Sequence, residues 1–284
     1  MSCAITNGLS VDVEDWFQVG AFETVIDRGE WDALQPRVER NTHAVLDLFG
    51  ETGVKATFFT LGWVAERNPA LMRRIVDEGH EIASHGWDHA RVFTFDAAQF
   101  AADLKRARTA IEDAAGVAVT GYRAPSFSID ARTPWAHTVL AEQGYAYSSS
   151  VAPIAHDHYG WPEAPRFAYR PLADAPLVEL PVTTARVGGR NMPTGGGFFR
   201  LFPSAFTNWA IRRVNAREGH AAVFYFHPWE IDPDQPRVSN APAKSRLRHY
   251  ARLGAMAGKL RGLIARHQWG RVDAVVAAET GAIA

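Results

Sequence analysis

Short, nearly unbroken apolar runs alternate along this chain with stretches in which apolar positions recur at helical spacing. Ala4-Ile5 with Leu9-Ser10-Val11, then Ala56–Leu61, Glu81–Ser84, Val117–Tyr122, Tyr145–Tyr147 and Ala221–Phe226, are of the first kind and predict buried strands. Val38, Val45, Leu48 and Phe49 predict a helix over Val38–Glu51. Asn68-Pro69 reads as a cap and first turn, Leu71, Ile75 and Val76 as one apolar face, and Gly79 as the stop. Asp96 is a cap for a helix with Phe100, Leu104 and Ile111 inward, ended by Gly116. Thr133-Pro134 opens a helix that runs to Gly144, and Ser204 opens another to about Glu218, closed by Gly219. Leu247, Tyr250, Leu253, Leu260 and Ile264 predict a last helix over Lys244–Arg266.

Strands alternating with helices imply parallel pairing through right-handed crossovers. This many units favours an α/β barrel, or an incomplete parallel (β/α) barrel, over a small open sheet, with its active site at the carboxyl ends of the strands. Residues 152–202 break the rhythm with Pro153, Pro162, Pro165, Pro171, Pro176, Pro181 and Pro193, Gly188-Gly189 and Gly195-Gly196-Gly197. They read as an elaborated loop with a hairpin around Leu177–Arg190, whose glycine run either lines the site or makes a plain turn. The expected organisation is one domain over residues 1–284, with 152–202 as its elaboration and 244–273 as a C-terminal helical extension.

Composition narrows the partners. A chain of 284 residues with 47% apolar content can bury a sizeable core. A net charge of −1 with 21% charged residues gives no electrostatic reason to expect nucleic acid or an anionic membrane, and suits a neutral substrate such as a sugar. Cys3 is the one cysteine, so no intramolecular disulfide forms. Met1–Gly8 lacks a basic stretch followed by an apolar segment, and no run approaches the ~18 apolar residues that span a bilayer. The expectation is a cytoplasmic protein without a membrane span, free to associate peripherally with an export machinery.

Five stretches carry chemistry, each where an apolar run ends. His85 and His89 are spaced so that one helical turn or a tight loop brings both rings to one face, a metal-binding arrangement that needs a third ligand, most naturally a carboxylate. Asp12, Glu14 and Asp15 supply carboxylates at the end of the first strand; alternation points Asp12 and Glu14 the same way, and three acids so close need a cation or an arginine. Arg123 can brace Asp12 through paired hydrogen bonds. Tyr147 leads into Ser148-Ser149-Ser150, and His227, after Ala221–Phe226, is placed as an acid. Trp16, Trp87 and Trp229 flank these stretches and offer aromatic faces to sugar rings.

With these residues assembled, the chain resembles the polysaccharide deacetylases of the NodB-homology group, carbohydrate esterase family 4, over about Ile5 to Asp273. It is most similar to the subgroup of bacterial exopolysaccharide loci that accompany the exosortase (PEP-CTERM) system. The stretches that carry this are Ser10–Phe17, Ala56–Phe59, Glu78–His85, Pro193–Arg200 and His227–Glu230. The resemblance implies a distorted or incomplete barrel of the NodB type, a divalent metal, commonly zinc, and removal of N-acetyl groups from an N-acetylhexosamine polysaccharide or its precursor. It implies Asp12 as base, Arg123 as the residue that orients it, His85 and His89 as metal ligands and His227 as acid. It also implies an oxyanion donor from the backbone near Tyr147 or Ser148. Two departures stand out. Val13 occupies the usual place of the metal carboxylate, so the ligand is Glu14 or Asp15. Ser148 stands where many members have an aspartate that supports the acid histidine, and Glu230 is the available substitute. The rival readings are a non-catalytic polysaccharide-binding or assembly member and an allantoinase-like cyclic amide hydrolase.

Overall fold

The computed structural model describes residues 5–156 and 159–283, so the expectations resting on Cys3, on Ala4 and on the N-terminal residues before them lie outside the described residues. The strands are β1 (Thr6–Val13), β2 (Thr57–Thr60), β3 (Glu81–Ser84), β4 (Gly121–Tyr122), β5 (Tyr147–Ser148), β6 (Val178–Glu179), β7 (Thr184–Val187), β8 (Arg190–Pro193), β9 (Val223–Phe226) and β10 (Gln268–Gly270). The helices are α1 (Val38–Thr52), α2 (Gly62–Arg67), α3 (Pro69–Asp77), α4 (Ala97–Ala115), α5 (Ala136–Glu142), α6 (Gly196–Leu201), α7 (Ser204–Arg213), α8 (Ala243–Tyr250), α9 (Leu253–Ile264) and α10 (Val272–Ile283).

The main sheet is parallel throughout, in the order β9-β1-β2-β3-β4-β5-β6, with β10 beside the first residues of β1. It curls into an incomplete barrel. Among the described residues no ladder joins β6 to β9; a backbone bond from Thr183 N–H to the Val223 carbonyl, 3.1 Å, reaches across the gap. Strand alternation sorts side chains between the two sides. Leu9, Val11, Val13, Phe58, Ile82, Phe224 and Phe226 face outward into the layer of helices, while Phe59, Ala83, Val223 and Tyr225 fill the lumen. Each large outward residue is fully buried and contributes about 1.5–3 kcal/mol. The inward positions of β1 between Leu9, Val11 and Val13 are Ser10 and Asp12, so a polar pair is carried into an otherwise apolar barrel.

α10 closes the amino end of the barrel. Its Val272, Val275 and Val276 belong to the lumen cluster. Its first N–H groups are satisfied from the sheet: Val272 N–H donates to the Thr57 hydroxyl, 2.7 Å, and Asp273 N–H to the Glu81 carboxylate, 3.2 Å. Among the described residues no helix is long and apolar enough to cross a membrane.

Several expectations change: the strand expected over Val117–Tyr122 is only Gly121–Tyr122, and the 244–273 helical extension includes β10, which pairs with β1. The hairpin lies further along than Leu177–Arg190: Val178–Glu179 joins the main sheet, and β7 and β8 pair around Gly188 (φ 56°) and Gly189 (φ 80°), the left-handed pair a two-residue hairpin turn requires. The helix expected over Lys244–Arg266 is two helices, broken where Ala251 is extended and Arg252 is left-handed (φ 57°). The helix from Ser204 ends at Arg213 and continues as one wide π turn, Val214–Glu218, before Gly219.

Candidate active site

Asp12 leaves β1 pointing into the barrel mouth and is 2% exposed. Arg123 follows β4 and is fully buried. Its Nη1 donates to Asp12 Oδ1 at 2.6 Å and to the Ser10 hydroxyl at 2.7 Å, while Nε and Nη2 bond the Ser149 carbonyl and hydroxyl at 3.0 Å each. Its guanidinium lies 4.1 Å from the centre of the Phe59 ring. Every arm of the cation is committed, so the one Asp12 oxygen it grips cannot rotate away. The backbone just beyond is strained: Ser126 (φ 54°) and Phe127 (φ 49°) are consecutive left-handed residues, neither of them glycine.

His85 and His89 sit on a tight loop after β3, not on a helix; Gly86 (φ 77°) and His89 (φ 61°) supply the reversals. A Cβ on Gly86 would meet the Asp103 carboxylate of α4 at 3.2 Å. One ligand atom from each of Glu14, His85 and His89 lies within 4.8 Å of the others, and all three residues are buried. His85 Nδ1 is 2.8 Å from the Arg123 carbonyl. A carbonyl only accepts, so Nδ1 carries the proton and Nε2 keeps its lone pair. Burial holds the His85 imidazole neutral, its pKa lowered to about 4 despite the nearby Asp12 charge. Burial raises the Glu14 pKa, yet the His89 and His227 rings outweigh it and hold this carboxylate ionised far below the usual range. Glu14 Oε2 and His89 Nε2 are 2.8 Å apart, yet Oε2 has no hydrogen-bond partner. A buried carboxylate oxygen this close to an imidazole nitrogen, with no hydrogen bond of good geometry, leaves a place that a cation would fit. A carboxylate and two imidazoles suit a catalytic divalent metal that keeps an open position.

His227 follows β9. Its Nε2 faces the site, 3.9 Å from Asp12 Oδ2 and 3.6 Å from Glu14 Oε1. Its Nδ1 is 2.6 Å from Glu230 Oε1. Glu230 is itself gripped by the buried Arg200, whose Nε donates to Oε2 at 2.6 Å and whose other nitrogens bond the carbonyls of Arg248, His249 and Ala251. Burial lowers the His227 pKa, but Glu14, Glu230 and Asp12 together raise it to about 9. Glu230 stays ionised against its own burial because of Arg200 and His227. The carboxylate expected in the place of Ser148 therefore comes from a different strand end.

Other expected site residues sit elsewhere. Asp15 is fully buried, but its Oδ2 accepts the Arg37 and Val38 N–H groups at 2.7 and 3.0 Å, and Oδ1 accepts Trp16 N–H at 2.8 Å. It satisfies the open N-terminus of α1 and faces away from the histidines. Of the two carboxylates left open, Glu14 is the one the fold turns toward them. The expected sugar platforms are buried: Trp16, Trp87 and Trp229 are 4, 8 and 6% exposed. Trp16 joins an aromatic cluster and donates to the Gln35 carbonyl, and Trp87 is covered by Arg106 at 3.5 Å. Trp229 instead stacks on His227 (5.2 Å, 20°) and donates to Glu14 Oε1 at 3.1 Å, which makes it a support for the site. Tyr147 reaches down the lumen to Glu81, 2.7 Å, and its N–H bonds the Thr120 carbonyl. The Ser148 hydroxyl donates to that of Ser150. The side chains of both are buried in the sheet. Sequence reasoning passed over Glu179 and His137. Glu179, fully buried, accepts the Ser150 and Val151 N–H groups at 2.8 and 2.9 Å and pairs with His137, so it fixes the segment that grips Arg123. Nothing in their local sequence marks them, because their partner lies across the barrel.

Residues 26–148 match the family model described as polysaccharide deacetylase, and residues 149–277 match a domain of unknown function, DUF3473. A chitin deacetylase of Pestalotiopsis sp is 34% identical over 41% of this chain and 40% of its own length. A chitooligosaccharide deacetylase of Sinorhizobium fredii is 34% identical over 52% of this chain and 62% of its own. The chain thus spans less than two thirds of either relative. A crystal structure of a Mycobacterium smegmatis protein superposes over 98% of this chain and 92% of that one with a TM-score of 0.60 at 22% identity, a likeness of fold. Residues 26–148 thus resemble the polysaccharide deacetylase family, and the curled parallel sheet has the fold of the Mycobacterium smegmatis structure.

Proposed function

We propose that this chain is a metal-dependent N-deacetylase that hydrolyses the acetamido groups of an N-acetylhexosamine glycan. The observation that carries the reading is the convergence on one barrel mouth of an arginine-held carboxylate, a Glu-His-His cluster and a carboxylate-backed histidine. A divalent cation held by Glu14, His85 and His89, best matched by zinc, supplies Lewis acidity toward an acetamide carbonyl and a water. Arg123 grips Asp12 Oδ1, which leaves Oδ2 to take the proton of the attacking water. His227 Nε2, 3.9 Å from that oxygen, delivers the proton that lets the amine nitrogen leave. Glu230 on Nδ1 keeps the imidazole charged and its Nε2–H aimed into the site. Water and the acetamide become acetate and a free amine. Such chemistry fits a step in exopolysaccharide biosynthesis, as the likeness to the exosortase-associated subgroup suggests. Intact Glu230 and Arg200 favour this over a non-catalytic glycan binder, since binding alone needs no charged histidine.

The test is acetate release from N-acetylglucosamine oligomers by the zinc-loaded protein, with and without chelator, beside direct metal analysis. Chelator-sensitive release with one metal per chain supports the reading. Glycan binding without release, from metal-replete protein, sinks it. Asp12→Asn is expected to keep the metal and lose turnover by at least ~100-fold, the contribution of a general base.

A further inference from the structure

Three flat rings are stacked behind the barrel mouth. Trp229 lies between His227, at 5.2 Å and 20°, and His249 of α8, at 4.2 Å and 14°. His249 is buried. Its Nε2 is 2.6 Å from Gln235 Oε1, while the Gln235 amide nitrogen donates to the Trp229 and Asp232 carbonyls at 2.9 and 3.0 Å. The nitrogen of that carboxamide is spent on carbonyls, so its oxygen accepts and His249 Nε2 carries the proton. Phe22 and Tyr250 pack around the imidazole at 4.5 and 4.7 Å. Arg200 Nη1 donates to the His249 carbonyl at 2.6 Å, while its Nε holds Glu230. Ring and backbone of His249 are both locked.

What the lock controls is read from the neighbouring indole. Trp229 N–H ends on Glu14 Oε1 at 3.1 Å, and the other carboxylate oxygen, Oε2, lies 2.8 Å from His89 Nε2. The two oxygens turn together about one bond, so fixing Oε1 fixes Oε2. The indole in turn is held between two rings. His227 faces the site and its side chain is 18% exposed, so His249 is the firmer wall. Resting on the metal-dependent reading above, we infer that His249 is a positioning residue for Glu14: it holds the Trp229 N–H on Oε1 and so keeps Oε2 turned toward the His85 and His89 rings. Groups that orient a metal ligand in this way contribute roughly 10–100-fold to metal affinity.

The test measures zinc affinity by competition titration, with thermal unfolding alongside, on the full chain. His249→Ala removes the wall and is expected to weaken zinc binding about tenfold. His249→Phe loses the Gln235 bond but keeps a flat ring, and is expected to bind zinc nearly as the wild type does while melting at a lower temperature. Unchanged affinity in His249→Ala overturns the inference. So does an equal loss in both variants, because affinity would then follow the stability of the fold and not the ring. Should His249→Ala fail to fold, Trp229→Phe decides: it removes the N–H to Glu14 and keeps a ring, and zinc affinity equal to that of the wild type overturns the inference. A wild type that binds no zinc sinks the deacetylase reading instead. Solvent exchange of the Trp229 indole N–H then judges the positioning in the metal-free protein. It is expected to be about tenfold faster in His249→Ala, the scale of one lost hydrogen bond, and near the wild-type rate in His249→Phe, and equal rates in all three proteins overturn it.

Discussion

Glu14 and Asp15 are adjacent, acidic and buried, yet they face different tasks. Glu14 lies against two imidazoles; Asp15 collects the three N–H groups of Trp16, Arg37 and Val38. Their substitution should therefore separate metal binding from stability. Glu14→Gln is expected to drop bound metal well below one per chain, as read by elemental analysis, with folding retained. Asp15→Ala is expected to keep the metal and lose about 0.5–2 kcal/mol of stability, the scale of a lost helix cap, as read by thermal unfolding. His227 gives the residue-scale test by pH. An acid must be protonated to act, so activity falls as pH rises through its pKa, held near 9 by the surrounding carboxylates against burial. Glu230→Gln removes one of those charges and should move the alkaline limb of the rate profile to lower pH, even where a cation offsets Glu14. An unmoved alkaline limb would detach Glu230 from the acid step.

At the scale of elements, the loop that bears the two histidines leans on α4. Asp103 Oδ2 accepts the Trp87 N–H at 3.3 Å, and burial, with the Asp88 charge behind it, raises the Asp103 pKa to about 7. The folded protein therefore holds a proton there between about pH 4 and 7 that the unfolded chain releases, so this group makes stability fall as pH rises across that window. Asp103→Asn should flatten the slope of denaturant-measured stability between pH 4 and 7, and an unchanged slope would remove Asp103 as its source. Elements of this kind were legible where local chemistry is complete. Asp96 caps α4 with a reciprocal Gln99 bond, Gly116 ends it left-handed, and Glu81–Ser84 is a strand at those bounds. What failed depended on distant partners. Val178–Glu179 is a strand because β5 offers an edge, the break at Arg252 is not announced by any glycine or proline beside it, and α10, rich in apolar residues, has little polar face to reveal its period. The candidate site followed the same division. Residues at strand ends were visible, whereas the burial of Trp16 and Trp87 and the reach of Arg200 to Glu230 belong to the assembled barrel.

At the scale of the molecule, the two family matches meet between residues 148 and 149, at the end of β5. That boundary runs through one sheet. β1 takes β2 on one edge and β9 on the other, so this strand, at the edge of the sheet formed before the boundary, is completed only by residues after it. β5 likewise needs β6, and the lumen is closed from below by α10. The proposed catalytic set divides in the same way: Asp12, Glu14, His85, His89 and Arg123 precede the boundary, while His227, Glu230 and Arg200 follow it. A fragment of residues 1–148 would expose the apolar lumen and leave two unpaired strand edges, the arrangement that favours aggregation. Expressed alone, it is expected to be insoluble or to melt without a cooperative transition, while the full chain unfolds in one calorimetric step whose two-state enthalpy matches the measured one. A fragment that melts cooperatively and binds zinc at Glu14, His85 and His89 would show instead that the sheet is divisible. In that case the acid histidine would be an addition to a site able to stand without it.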